Sequence, residues 1–406
     1  METIQIRPVV SRMELERAYD IWGTVFAAGR SFFQERLDYD DAYAMDTTWI
    51  ALVDGEIAAA IQIFPYRMRY GSVQLKVGGI GSVATSPEYR KRGLAQRILR
   101  CQSEYMEDNG YDASLLFTGI HSFYEQVGWV RSVNNIWNAK ASELKLCAFE
   151  TSGSVRTYED ADLTRVMDIY EEMNSGLTGS MIRTKAYWQG QSQWKAVKPE
   201  HFLVAEGSGT GTGSGNIMAY MRYKIRKDGQ QLQIAECCYE SGQEKAALSL
   251  LQGALDAQPD VQSVQAALPA GHALLECFRG HGTSGTTASA MWKSFDIVRL
   301  LTKLAPELTR RVRQSSAADG IVFPVALLIG VGEQEAVLRI REEEVEVVKA
   351  SAAVSYHLAV HFSEAEWITL LLKGCDALEK PPSQGHDYLR ILFPETPYIF
   401  WSTDNF

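Results

Sequence analysis

The residues best suited to chemistry lie in one run, Gly78-Gly79-Ile80-Gly81-Ser82-Val83-Ala84-Thr85-Ser86-Pro87-Glu88-Tyr89-Arg90-Lys91-Arg92-Gly93-Leu94-Ala95. An apolar strand leads into a sharp turn, and the turn opens directly into an amphipathic helix. Leu94, Ala95, Ile98, Leu99, Tyr105 and Met106 share one face of that helix; Gln96, Arg97, Arg100, Ser103, Glu104 and Glu107 share the other, and Asn109-Gly110 stops it. A helix start leaves its first backbone N–H groups without intrahelical partners, at the positive end of the helix dipole. Gly93 and Ala95 allow close approach to the backbone, and Arg90, Lys91 and Arg92 add formal charge, so the turn suits a pyrophosphate. Further on, a strand over 113–118 precedes Phe123-Tyr124-Glu125-Gln126-Val127-Gly128-Trp129. His121, close by and titrating near neutrality, is a candidate base.

Other phosphate and nucleophile motifs are missing. No G-x-G-x-x-G follows a strand with an acidic residue at ribose distance, and neither G-x-x-x-x-G-K-[ST] nor G-x-S-x-G occurs.

The elements around this run occur twice, about 150 residues apart. Helical character over 11–26 and 159–173 is followed in each copy by irregular, aromatic-rich sequence. A hairpin then forms from 49–53 and 57–61 around Asp54-Gly55, and from 201–206 and 216–221 around a Gly/Ser/Thr loop at 207–215. A strand (75–85; 232–239) and a helix (94–106; 243–257) complete the pattern. From residue 290 a different pattern begins: a helix over 297–304, strands over 321–329, 336–340 and 345–348, and a helix-like run over 363–372. Gly280 to Thr287 reads as the connection into it. The expected fold class is α/β with mixed sheets, in three domains: 1–150, 151–289 and 290–406.

Composition agrees with a folded protein. Of 406 residues 46% are hydrophobic and 22% charged, near the averages for globular chains. No apolar stretch approaches the roughly 18–20 residues of a membrane span, and the first residues lack a signal-peptide pattern, so a cytoplasmic location is expected, with no membrane partner. Six cysteines without C-x-x-C or zinc spacing argue against a metal or a disulfide framework. Forty basic against fifty acidic side chains give a net charge of −10, which disfavours nucleic acid and suits a cationic substrate.

Val83, Thr85, Pro87, Tyr89, Arg90, Gly93 and Ala95 stand where the signature of the GNAT superfamily of acyl-CoA N-acyltransferases has its fixed positions, and Tyr124 before Gly128-Trp129 resembles that superfamily's second signature. Thr85 and Ala95 depart mildly from its commonest residues. The resemblance implies that acetyl-CoA is held by Val83, Ala84 and Thr85 along the pantetheine, by Arg90, Lys91, Arg92, Gly93, Leu94, Ala95 and Gln96 at the pyrophosphate, and by Gly119 across the strand end, with Tyr124 as general acid. The second copy reads Glu240-Ser241-Gly242-Gln243-Glu244 at the equivalent turn. Its two carboxylates would repel a pyrophosphate, so one acetyl-CoA per chain is expected.

Two tandem acyltransferase-like domains and a small α/β domain in this length resemble the Eis (enhanced intracellular survival) family of bacterial N-acetyltransferases. That resemblance implies two tandem GNAT-like domains with the second degenerate, a sterol-carrier-like third domain, hexameric assembly, and the α-carboxylate of Phe406 as general base. Acetyl transfer to a primary amine of a polycationic acceptor, aminoglycoside-like, polyamine or lysine, is the expected activity. Trp22, Phe26, Phe32 and Phe33, with Glu35, Asp38, Asp40, Asp41 or Asp404, are candidates for acceptor contacts, although the aromatics equally suit core packing. The alternative is a non-catalytic binding protein whose third domain holds an apolar ligand.

Overall fold

Alternating and continuous apolar runs build the sheets of the fold, seen in a computed structural model that describes residues 2–146, 153–194, 198–207, 217–315 and 321–406. Cys147, the expected loop from 208 on, and the boundary at 150/151 lie outside the described residues. The chain divides into two units, one made of 1–132, 288–396 and 406, the other of 133–287 and 397–405.

In the first unit the chain runs β1 (Ile4–Pro8), α1 (Arg12–Val25), α2 (Arg30–Asp38), β2 (Thr48–Val53), β3 (Glu56–Tyr70), β4 (Val73–Thr85), α3 (Leu94–Asp108), β5 (Ala113–Phe117) and α4 (His121–Glu125). Strands β1 to β4 pair antiparallel in order and β4 pairs parallel with β5. The sixth strand comes from far along the chain: Ala290–Ser294, within Gly282–Ser294, runs antiparallel to β5. Ser11 caps α1, its hydroxyl accepting the Glu14 N–H. Helix α3 buries Leu94, Ala95, Ile98, Leu99 and Met106 against the sheet, each large side chain stabilising by about 1.5–3 kcal/mol. Gly78 gives α3 room, since a side chain there would collide with Met106.

The rest of this unit is a four-stranded sheet, ordered Glu344–Lys349, Gln334–Arg341, Val325–Val331, Leu358–Phe362, with its last pair parallel. Helices Ile297–Gln314, Glu364–Lys373 and His386–Leu392 accompany it.

The second unit has the same pairing order. Ser154–Thr157, Phe202–Glu206, Ile217–Arg226 and Gln231–Tyr239 pair antiparallel, Gln231–Tyr239 pairs parallel with Ser263–Ala266, and Val130–Lys140 runs antiparallel to the latter. Helices Leu163–Asn174 and Glu244–Ala257 stand where α1 and α3 stand in the first unit. Before the second of these, Glu240 is ion-paired with Arg165.

Three expectations need correction. The aromatic stretch after α1 is helical over Arg30–Asp38. Gly282–Thr287 is strand rather than connecting loop: a side chain on Gly282 would meet the Asn138 carbonyl oxygen at 2.6 Å, so the small residues serve a close backbone approach. Ser103, placed on the polar face of α3, is buried. Among the described residues Cys101, Cys237, Cys238, Cys277 and Cys375 are free thiols, no cluster of His, Cys, Asp and Glu is placed to hold a metal, and no helix is long and apolar enough to cross a membrane.

Candidate active site

Strand β4 carries the site. Its register against β3 shifts between Ala60, opposite Ala84, and Gln62, opposite Gly81, so β4 holds one extra residue there, a bulge. Within it Ser82 adopts φ 54°, a left-handed conformation that costs a non-glycine residue energy and often marks functional backbone. The parallel pairing of β4 with β5 runs from Val77 opposite Ala113 to Gly79 opposite Leu115, and beyond it the strands part.

After β4 the chain makes a tight turn at Pro87–Tyr89 and enters α3 through Gly93. Gly93 lies at φ 70°, and no side chain caps the helix. The Arg97 N–H bonds the Gly93 carbonyl at 3.0 Å, which leaves the N–H groups of the first turn pointing outward. A methyl built on Gly93 would meet nothing within 4 Å, so the space in front of those donors is open. Arg90, Lys91 and Arg92 are exposed around it; Arg90 Nε donates to the Thr85 carbonyl at 3.3 Å, and Arg92 pairs with Glu2 over the Tyr89 ring. A pyrophosphate fits this uncapped, cationic helix start.

Val83, Ala84, Thr85 and every residue from Arg90 to Gln96 line one cavity of about 520 Å³, whose far wall is Ile120, Phe123 and Tyr124. The structure thus brings together the residues expected at the phosphates, the strand expected at the pantetheine, and the expected acid. Gly119 is exposed and outside that lining.

Tyr124 sits in α4 with its ring buried edge-on against Phe123, and burial pushes its phenol up to about 12. It is therefore fully protonated at neutral pH. Its carbonyl accepts the Val127 N–H at 3.0 Å and the Trp129 N–H at 3.2 Å. Gln96 joins α3 to this turn through the Phe123 carbonyl at 3.3 Å and Gln126 Oε1 at 2.7 Å. One residue that the sequence did not single out, Lys293, holds the turn from beneath: its ammonium donates to the Val127 carbonyl at 3.0 Å and to Ser103 Oγ at 3.1 Å, over the Trp129 ring. Only its place on the incoming strand makes this contact, so no local signal announces it. His121 Nε2 donates to the Ala288 carbonyl at 2.8 Å.

Phe406 packs against β4 at Gly79 and Gly81, just before the bulge. Its ring stacks on Phe64 at 5.3 Å and lies 5.5 Å from Tyr66 and 5.7 Å from Phe117, over Gly79 and Gly81. A methyl on Gly81 would lie 3.5 Å from the Phe406 carboxyl carbon. Of the acceptor candidates, Trp22 is fully buried with its indole N–H on the Ala60 carbonyl, and Phe33 is buried between Trp22 and Phe26, so both act as core. Phe26 and Phe32 are half-buried. Asp38 receives Arg12 at 3.3 Å, and Asp40, accepting the Ala42 N–H, is pushed up to about 6 by burial.

Asp404 is placed differently from the expectation. In the second unit it is fully buried, its two oxygens accepting from Arg183 at 2.9 and 2.7 Å beside Glu236 and Thr403. Burial dominates its environment and raises its pKa despite Arg183. A carboxylate enclosed in this way serves the fold rather than a bound amine.

Residues 5–131 match the acetyltransferase (GNAT) domain family, so this part of the chain is an N-acetyltransferase domain. The whole chain is similar in structure to a conserved Enterococcus faecalis V583 protein described as a probable N-acyltransferase (17% identity, 99% of this chain and 100% of that one, TM-score 0.73). It is also similar to a GCN5-related N-acetyltransferase of Anabaena variabilis (13%, 100% and 100%, 0.72) and to Eis1 of Mycobacterium abscessus (15%, 100% and 100%, 0.65). At these identities the likeness is one of fold. No curated protein matches the chain by sequence.

Proposed function

We propose that this chain is an Eis-type, acetyl-CoA-dependent N-acetyltransferase that acetylates a primary amine of a polycationic acceptor. The observation that carries the reading is the single cavity in which the open start of α3, the bulged β4 and the buried Tyr124 phenol converge. In the reaction a neutral amine nitrogen attacks the thioester carbonyl carbon; the C–N bond forms and the C–S bond breaks. The departing thiolate takes the Tyr124 proton, and the proton shed by the amine passes to the Phe406 α-carboxylate beside Gly81. Solvent exchange restores both groups. One cofactor per chain, a sterol-carrier-like C-terminal segment, hexameric assembly and a cytoplasmic location belong to the same proposal.

The test is release of free thiol from acetyl-CoA in the presence of a panel of polyamines and aminoglycosides. Turnover with cationic amines supports the proposal, and a lack of amine-dependent release with all of them rejects it. For the base, a chain extended by a few residues after Phe406 keeps every side chain but moves the carboxylate. A kcat loss of roughly 10²–10⁴-fold with unchanged acetyl-CoA binding supports the role, and full activity sinks it.

A further inference from the structure

The unusual feature of β4 is that it lacks side chains where the Phe406 ring lies. A methyl on Gly79 would stand 2.6 Å from that ring, and one on Gly81 3.0 Å from it. The two glycines share one face of the strand, the face on which Phe64 and Tyr66 of β3 close around the ring, while Phe117 closes it from β5. The ring therefore fills the place where β4 and β5 part, since their pairing ends at Gly79 and Leu115.

This place lies on the line an acyl chain would follow. The cavity runs from the helix start along Thr85, Ala84 and Val83, so a ligand anchored at the phosphates advances down β4 toward Gly81 and Gly79. Two strand residues advance about 6–7 Å. A thioester near Val83 thus has room for a short acyl group before its next carbons meet the Phe406 ring. We propose that the Phe406 side chain is a length gate, restricting this site to acetyl-CoA and its shortest homologues and excluding longer acyl groups. The proposal rests on the acyltransferase reading given above and adds the residue that limits the length of the acyl donor. Its test is separable from the α-carboxylate, because a displaced carboxylate lowers turnover with every donor alike, whereas loss of the ring changes the ratio between donors.

The experiment compares the chain with its Phe406→Leu and Phe406→Ala variants. Acetyl-, propionyl-, butyryl- and hexanoyl-CoA are each assayed for thiol release with one polyamine, and their dissociation constants are measured by calorimetry. A methylene that finds apolar space is worth roughly 10-fold or more in specificity. The butyryl-to-acetyl ratio of kcat/KM should therefore rise by about 10-fold or more in Phe406→Ala, and by less in Phe406→Leu. If the altered tail lowers turnover with every donor, the same ratio read from dissociation constants decides: a shift toward longer chains supports the gate. Ratios that stay constant in both variants overturn it, as does efficient use of hexanoyl-CoA by the unmodified chain. Failure of the unmodified chain to turn over any donor would reject the acyltransferase reading instead, and the dissociation constants would still judge the gate.

Discussion

Lys293 donates its ammonium to the carbonyl of Val127 at 3.0 Å, joining a strand that returns after residue 288 to the turn that ends the Tyr124 helix. The same ammonium holds Ser103 of α3, and Val127 N–H in turn holds the Tyr124 carbonyl. The proton donor is thus positioned by its neighbours: Phe123 packs on its ring, Gln96 holds the Phe123 carbonyl and Lys293 holds the Val127 carbonyl.

Replacing Lys293 with Met keeps the apolar stem but leaves the Val127 carbonyl without this donor. A misplaced acid loses far more rate than binding. Lys293→Met should lower kcat by about 10- to 100-fold while KM for acetyl-CoA stays within about twofold, and Lys293→Arg should recover part of the loss. A merely structural role would instead show as a lower melting temperature with kcat intact.

The phenol of Tyr124, pushed up to about 12 by burial, keeps its proton well past the pH at which an exposed tyrosine begins to lose it. The raised value favours the neutral, donating form, so activity should be held as pH rises and lost only as it nears the shifted value. A kcat profile should show no basic limb from this group below about pH 11, and Tyr124→Phe should lower kcat roughly 10²–10⁴-fold throughout. A limb near pH 10 that disappears in Tyr124→Phe would contradict the burial argument.

The phosphate turn and its helix were legible in the sequence because the whole device is local. Gly93, the three basic residues and the 3.6-residue spacing of Leu94, Ile98 and Leu99 all act within a few turns of chain. The doubled α, hairpin, strand, helix order was legible for the same reason. What escaped depends on partners distant in sequence. Lys293 gains a function only because Ala290–Ser294 pairs with β5, and the stretch Gly282–Thr287 looked like a linker because Gly and Ser carry no strand signal. The acidic and aromatic candidates misled where burial decides. Trp22 and Asp404 have the chemistry of a cation site but lie fully enclosed, and composition does not distinguish the two states.

At Gly93 no protein atom crowds the position, so within the fold itself the φ of 70° is what requires glycine. Gly93→Asp would set a carboxylate before the uncapped N–H groups, where it repels a phosphate. Calorimetric titration of the unmodified chain with CoA should give one site per chain, abolished in this variant, whereas Gly93→Asn, which tolerates the left-handed region, should retain weaker binding. Two equivalent sites in the unmodified chain would mean that the turn at Glu240 also binds.

Glu307 secures β4 from its other end. Buried in the helix Ile297–Gln314, it accepts the Ser72 N–H at 3.1 Å and hydroxyl at 2.8 Å, and bonds from Arg310 at 2.6 Å and Arg311 at 2.8 Å. Burial alone would raise its pKa; the bonds from Arg310 and Ser72 and the charge of Arg311 outweigh it and hold the carboxyl at about 2. Against an ordinary value of 4.5, that depression is worth on the order of 3 kcal/mol. The sign follows from the folded value being the lower one. The stabilisation is fully present above pH 4.5, where the unfolded carboxylate is also ionised, and is lost progressively as pH falls toward about 2. Glu307→Gln should therefore unfold at lower urea concentration at pH 7, by about 3 kcal/mol, with two arginines left short of a partner. Its deficit relative to the unmodified chain should narrow steadily below pH 4.5, because acid neutralises the same carboxylate. Urea midpoints measured from pH 7 down to pH 3 follow that narrowing directly. A deficit that stays constant over the range would assign the loss to packing rather than to charge.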